Sequence, residues 1–430
     1  MRFTLALFFY RLLFLLVTPL LLVALLLRSI SHKAYRQRLL ERFGLLCTTL
    51  KPEGIVVHAA SVGEVIALKP FISELLNHYP ELPITVTTFT PTGSAQVQKL
   101  FADKVQHCYL PIDNIISTSL FLKRLKPKAM IFMETELWPN LIAQCESHRI
   151  KLLLVNGRLS DKSMRSYQKL AWLITPTIRR FGKILTQSQI NQDNYLAMGA
   201  TTKTCALSGN LKFDITLNND VAAKQQELEH LITERRKIWL VASTHPGDEA
   251  LMLKAFEQIK QHDSTVLLII VPRHPERFDQ VTKLAQDAGN NVLKRSSKQS
   301  VTLNTQVWVI DTLGELLAAC ALANVVTMGG SFSEIGGHNP LEPALFKKPV
   351  IVGPNMSNFK EILAQLMFAQ GIIQIAENEN IPQTLAKEVL RLLTDEESAQ
   401  TLGCNSYKVV KANQGATAQS LTALHMLLRT

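Results

Sequence analysis

Two kinds of hydrophobic pattern divide the chain. The first is one unbroken run from Phe3 to Leu27, apolar except for Arg11 and two threonines. At about 1.5 Å per residue it is long enough to cross a hydrocarbon core of about 30 Å, so a membrane anchor over residues 1–30 is predicted. No small-x-small cleavage site follows it, which argues against a removed signal peptide. The next charges are Arg28, Lys33, Arg36, Arg38 and Arg42, and the positive-inside tendency then puts the body of the protein in the cytoplasm. Arg11 and Pro19 interrupt the span and leave open a helix lying in the membrane interface.

The second pattern fills the remainder. Short β-branched runs alternate with helical ones: GIVVHAA (54–60), ITVTTF (84–89), KAMIFME (128–134) and KLLLVNG (151–157) read as strands, and VIALKPFISELLNHY (65–79) as one helix. After a polar, strand-free stretch, KIWLVAST (237–244), TVLLIIVP (265–272), VWVIDT (307–312), ANVVTMGG (323–330) and PVIVGP (349–354) repeat the alternation. This is βαβ order, hence α/β architecture with parallel sheets covered on both faces. Two doubly wound, Rossmann-like domains are predicted, 31–214 and 237–430, joined by a linker at 215–236 and facing a cleft. C-terminal helices beyond Thr394 could return to the first domain. Ligands of such sheets sit beyond the carboxyl ends of the strands.

The chain has 430 residues and a formal net charge of +11. No short-period repeat or low-complexity tract occurs, which excludes solenoids and collagen-like folds. Six scattered cysteines (Cys47, Cys108, Cys145, Cys205, Cys320, Cys404) and histidines without HExxH spacing argue against zinc or redox sites, so no cofactor is expected. The absence of GxxxxGK[ST] excludes P-loop chemistry. Nothing resembles an aromatic-interleaved basic patch, so nucleic acid is not an expected partner.

Chemistry is sought at the strand ends. In HAASVGE (58–64), Ser61 and Glu64 match a capping box, which explains both residues structurally; alternatively Glu64 is a general base. In METELWPN (133–140), Glu134 emerges at a strand end while Glu136 would favour the positive end of a helix starting near Leu137. Lys212 in GNLKFD (209–214) could meet an anionic substrate or simply be solvated. In the second half Arg273, in PRHPERF (272–278), is placed to grip phosphate, and His274 is read as structural. GGSFSEIGGHNPLEPA (329–344) is a glycine-rich loop before a helix with Asn339 as N-cap and Pro340 at its first position, suited to phosphate; Glu342 suits a ribose hydroxyl. DTLGELLAACA (311–321) offers its backbone near Gly314.

Taken together and in this order, HAASVGE, METELWPN, GNLKFD, PRHPERF and GGHNPLE resemble the 3-deoxy-D-manno-octulosonic acid (Kdo) transferases of lipopolysaccharide synthesis. The resemblance covers essentially the whole chain. It implies a GT-B glycosyltransferase with an acceptor-binding first domain and a CMP-sugar-binding second one. The implied reaction moves Kdo from CMP-Kdo to the phosphorylated lipid A precursor, lipid IVA, at the cytoplasmic face of the bacterial inner membrane, with inversion and without a metal. By the same resemblance Glu64 is the proton acceptor, and Glu134 and Lys212 assist the transition state. CMP contacts fall on Pro272 and Arg273, on Leu313, Gly314 and Glu315, and on Asn339, Pro340, Leu341 and Glu342. STHPGDE (243–249) departs from the family's T-H-x-G-E pattern at Pro246 and Asp248. The basic juxtamembrane run suits an anionic membrane surface. A nucleotide-sugar epimerase or hydrolase of the same architecture is the alternative.

Overall fold

The computed structural model describes residues 2–46, 49–215, 217 and 220–429. The chain forms two compact units, Met1–Asp214 with Asn413–Thr430, and Ile215–Ala412.

In the first unit seven strands form a parallel sheet: β1 (Ile55–His58), β2 (Ile84–Thr88), β3 (Gln106–Tyr109), β4 (Ala129–Met133), β5 (Lys151–Gly157), β6 (Lys183–Thr186) and β7 (Cys205–Leu207). Their spatial order is β3-β2-β1-β4-β5-β6-β7, with Ile55 opposite both Ile84 and Ala129. The winding reverses between β1 and β4. Successive side chains of a strand point to opposite faces. Accordingly Ile55, Val57, Ile131 and Val155 enter one core, and Val56, Met130, Phe132 and Leu154 the other. Burial on both faces is why these strands read as continuous apolar runs.

The expected helix over 65–79 is two, Val62–Ala67 and Lys69–His78. Pro70 lacks the N–H that a continuing helix needs and stands at the start of the second. The terminal helix Ala416–Arg429 is a late addition to this unit's core. Leu424 is buried there, and Asp214 accepts hydrogen bonds from the backbone of Gly415 (2.7 Å) and Thr417.

The apolar run forms the helix Arg2–Ser31, which packs along the first unit against the helices Pro139–Ser147 and Ala171–Ile178. Its polar residues make the contacts. Tyr10 donates to Asp113 Oδ2 (2.9 Å), Arg11 Nε to Asn140 Oδ1 (2.9 Å), and Thr18 Oγ1 accepts from Asn114 Nδ2 (3.2 Å). Phe8, Phe9, Leu12, Leu16, Leu20 and Leu27 face outward. The basic run behind it is only partly available to a membrane. Arg42 is buried, with its guanidinium 4.2 Å from the centre of the Tyr109 ring, and Arg38 pairs with Glu41 at 3.1 Å.

The second unit holds β8 (Ile238–Thr244), β9 (Leu267–Pro272), β10 (Val292–Lys294), β11 (Val307–Val309), β12 (Val325–Met328), β13 (Val350–Val352) and β14 (Ile373–Gln374). All are parallel, in the order β10-β11-β9-β8-β12-β13-β14, so the winding reverses between β8 and β12. The polar stretch after Asp214 contains a helix, Asp220–Leu231, packed on the helix Leu316–Leu322 of this unit. Cys108, Cys145, Cys205 and Cys320 are buried free thiols, Cys404 is half-buried, and Cys47 lies outside the described residues.

Candidate active site

In the first unit a cluster of titratable side chains gathers where the winding reverses. His58, the last residue of β1, is fully buried; its Nδ1 lies 3.0 Å from Thr87 Oγ1 and its Nε2 3.3 Å from Glu136 Oε2. The same Glu136 oxygen accepts from the Trp138 indole at 2.8 Å. Burial pushes the Glu136 carboxyl up, but the histidine and the indole outweigh it and hold the group below its ordinary value. Glu136 therefore serves this cluster, and not a helix start: the helix begins at Pro139, and its free Asn140 and Leu141 N–H groups donate to Asp113 (3.0 and 2.8 Å).

Glu64 adopts the capping-box geometry. Its N–H points at Ser61 Oγ (3.4 Å), while its own carboxylate accepts from Ala60 N–H and the Ser61 hydroxyl, each at 2.8 Å. The chemical reading is not displaced by this, because desolvation lifts Glu64 above its ordinary carboxylate value. The two hydrogen bonds oppose that rise, and the charge of Glu136 adds to it. A carboxylate of raised proton affinity in a fixed orientation is the form a general base takes. A Cβ on Gly63 would meet nothing nearer than 3.9 Å, so this glycine leaves the approach to the helix start open.

Glu134 follows β4, the neighbour of β1, in a left-handed conformation (φ 57°). Its N–H donates to Val155 O at 3.1 Å and its carbonyl accepts from Tyr195 Oη at 3.1 Å. Lys212 follows β7, three strands away, yet the loop doubles back across the strand ends. Gly209 N–H reaches Thr186 O, Asn210 pairs with Gln187, and Leu211 N–H reaches Asn156 Oδ1 at the end of β5 (2.9 Å). GNLKFD itself forms a 3-10 turn, Leu211–Phe213, with Asn210 as its cap.

In the second unit Pro272 ends β9, and Arg273 is exposed with its N–H on Thr244 O (3.1 Å). Leu313 is exposed and Gly314 has φ 81°, whereas the Glu315 side chain turns inward to Arg295 (3.0 Å) and Thr312, so the Glu315 carboxylate is already engaged. The helix after the glycine-rich loop is a single turn, Leu341–Ala344, too short for a strong dipole, and it starts one residue later than expected, with Pro340 before its first position. Asn339 Oδ1 caps it through Leu341 N–H (3.2 Å). Burial lifts Glu342 to about 7 against the opposing charge of Arg273, so it can carry a proton near neutrality. His274 is exposed and stacks edge-on against His245. At the departure from the family pattern, Asp248 caps the backbone N–H groups of His245 and Gly330, and Glu249 clasps Arg277 with both oxygens (2.5 and 3.0 Å). Among the described residues no group of three His, Cys, Asp or Glu side chains is placed to hold a metal.

A family model described as 3-Deoxy-D-manno-octulosonic-acid transferase (kdotransferase) matches residues 37–215, and one described as Glycosyl transferases group 1 matches 248–409. The 3-deoxy-D-manno-octulosonic acid transferase of Haemophilus influenzae is 39% identical over 419 residues, 97% of each chain. The chain belongs to the Kdo transferase family.

This Kdo transferase is thus a glycosyltransferase of lipopolysaccharide biosynthesis. The crystal structure of the C-terminal CMP-Kdo binding domain of WaaA from Acinetobacter baumannii is similar to it at 32% identity (44% of this chain, 97% of that one, TM-score 0.42). UDP-GlcNAc 2-epimerase from Neisseria meningitidis shares the GT-B-like two-unit fold alone, at 16% identity and TM-score 0.54 over 88% of this chain and all of that one. Fold likeness does not separate transferase from epimerase; family membership does. His58, Glu136, His245 and His338 were given no chemical role by the sequence reading. A polar residue ending a fully buried strand, as His58 does, was the available signal.

Proposed function

We propose that this Kdo transferase moves Kdo from CMP-Kdo to the phosphorylated lipid A precursor, lipid IVA, with inversion of the anomeric centre and without a metal ion. The first unit supplies the base: Glu64 takes the proton of the acceptor hydroxyl as that oxygen attacks, and Glu134 and Lys212 stabilise the transition state. The second unit holds the nucleotide through Pro272 and Arg273, the backbone of Leu313 to Glu315, and Asn339 to Glu342. Arg273 offers its guanidinium to the phosphate charge that grows as CMP leaves. The observation that carries this reading is Glu64, fixed at the winding reversal with raised proton affinity.

The site of action is the cytoplasmic face of the bacterial inner membrane. The helix Arg2–Ser31 supports this: its polar residues are satisfied by the first unit and its outward face is leucine and phenylalanine, as befits a helix embedded beside its domain. Arg28 and Lys33 stay outward at its end and suit anionic headgroups.

Incubation of the purified protein with CMP-Kdo and tetraacylated lipid A precursor tests the reading. The lipid should gain the mass of one or more Kdo residues, at a rate that a chelator leaves unchanged. Donor consumption with no gain in lipid mass would show a hydrolase or epimerase instead.

A further inference from the structure

The winding reversal of the second sheet, between β8 and β12, is occupied by two histidines. His245 follows β8, His338 lies in the loop after β12, and their Nε2 atoms are 2.8 Å apart with ring planes inclined by 12°. A hydrogen bond between two ring nitrogens needs a proton on one and a lone pair on the other, so the neutral pair already shares one proton across its gap. The loops are locked together at this point. One buried oxygen of Asp248 accepts from His245 N–H (2.9 Å) and Gly330 N–H (2.6 Å), and Gly337 N–H closes onto Gly330 O (2.8 Å). Gly330 has φ 68°, and a Cβ there would press to 3.1 Å of the His338 ring. The pair is therefore built into the loop.

We infer that His245 and His338 act as a proton-sharing anion clamp: they engage the phosphate of the bound nucleotide, and nucleotide binding is coupled to uptake of a proton by the pair. This rests on the donor site proposed above and adds two binding residues to it. Position is the first reason, because the crevice at a winding reversal is where a doubly wound sheet receives its ligand. Charge is the second. The groups facing the pair are the cations Arg273 and Arg277, the His274 ring edge-on at 5.1 Å from His245, and the carboxylates Asp248 and Glu249. Glu249 is occupied by Arg277, and Asp248 is directed to backbone N–H groups. Burial, then Arg273 and the other histidines, holds His338 down at about 3, and His245 is lowered for the same main reason. Without a ligand the pair is thus neutral at physiological pH. A phosphate brings the missing counter-charge and favours the protonated form. Since the complex binds the proton more tightly than the free protein, affinity falls as pH rises from the value of the free pair towards that of the bound pair, by up to tenfold per unit, and is level above it.

Calorimetric titration of the full chain in detergent with CMP decides it. The phosphate of CMP, with a second pKa of about 6, titrates alike with wild type and variant, so the difference between them reports the pair. Between pH 5 and 7.5 the wild-type Kd should rise with pH more steeply than that of a variant lacking the pair, by up to about tenfold per unit more, and the heat should carry an extra dependence on the ionisation enthalpy of the buffer, reporting proton uptake. His338→Gln should bind CMP more weakly than wild type at pH 5, with the extra slope and the extra buffer dependence gone. A wild-type slope no steeper than the variant's and heats no more dependent on buffer, with CMP binding intact, overturn the clamp and leave the donor site standing. So does an undiminished slope in the variant. Failure of the wild type to bind CMP at all overturns the donor site and the clamp with it. If His338→Gln proves unfolded by circular dichroism, His245→Gln and the wild-type buffer comparison decide between the same two outcomes.

Discussion

Glu64→Gln separates the two roles that meet in one side chain. Glutamine keeps an acceptor for Ala60 N–H, now 2.8 Å from the carboxylate, and the Ser61 hydroxyl can turn to accept from the new amide. The cap therefore survives, whereas no proton can be taken from the acceptor. General-base catalysis contributes about 10²–10⁴-fold, so kcat should fall by that factor, about 3–5 kcal/mol in the barrier. CMP affinity should be unchanged. Stability has a definite sign. The folded-state pKa of Glu64 lies above its unfolded value, so its stabilising contribution is present below the unfolded value and lost as pH rises through the folded one. At neutral pH the buried charge is a cost, and removing it should leave Tm equal or slightly higher. Ser61→Ala is the complementary control, losing about 1 kcal/mol of cap while keeping the base. Single-turnover transfer followed by lipid mass, with CMP titration and thermal melting, reads all three quantities. The wild-type rate should also drop on acidification along a limb above the ordinary carboxylate range, and that limb should be missing in the variant. A Glu64→Gln rate within tenfold of wild type refutes the reasoning.

Two more changes probe the supports. Arg273→Ala removes a charge-assisted phosphate contact of about 1.5–3 kcal/mol, so CMP should bind about 10- to 100-fold more weakly with Tm unmoved, since Arg273 is exposed. Asp113→Ala leaves Tyr10 and the N–H groups of Asn140 and Leu141 without their acceptor. It should destabilise the protein in urea by about 2–3 kcal/mol and make the helix Arg2–Ser31 easier to cleave. Burial lifts Asp113 to about 7, so by the same linkage its contribution in the wild type is lost as pH rises through that value, and acid-side stability should shrink most in the variant.

The central strands were legible in the chain because strands buried on both faces are near-continuous apolar runs, as β4 and β9 are and as β1 and β8 are up to their polar last residues. The strands not found beforehand lie towards the sheet edges. Gln106–Tyr109, Lys183–Thr186, Cys205–Leu207, Val292–Lys294 and Ile373–Gln374 are short and half-buried in part, and carry too little apolar pattern to stand out. The motif order likewise marked the strand ends where chemistry would gather, and with it the family.

Residue identity and spacing were enough to determine βαβ alternation, an apolar first helix and glutamates and an arginine at strand ends, since each depends only on near neighbours along the chain. The partnerships depended on which strands became adjacent. Glu136 left a helix start for His58, seventy-eight residues away; Lys212 came back from β7 towards β5 through Asn156; Arg11, which looked like a flaw in a membrane span, found Asn140, and its neighbour Tyr10 found Asp113. His245 met His338 only because β8 and β12 are neighbours. Short-range rules cannot rank such contacts, because a buried polar group takes whichever partner the folded sheet sets within hydrogen-bond reach.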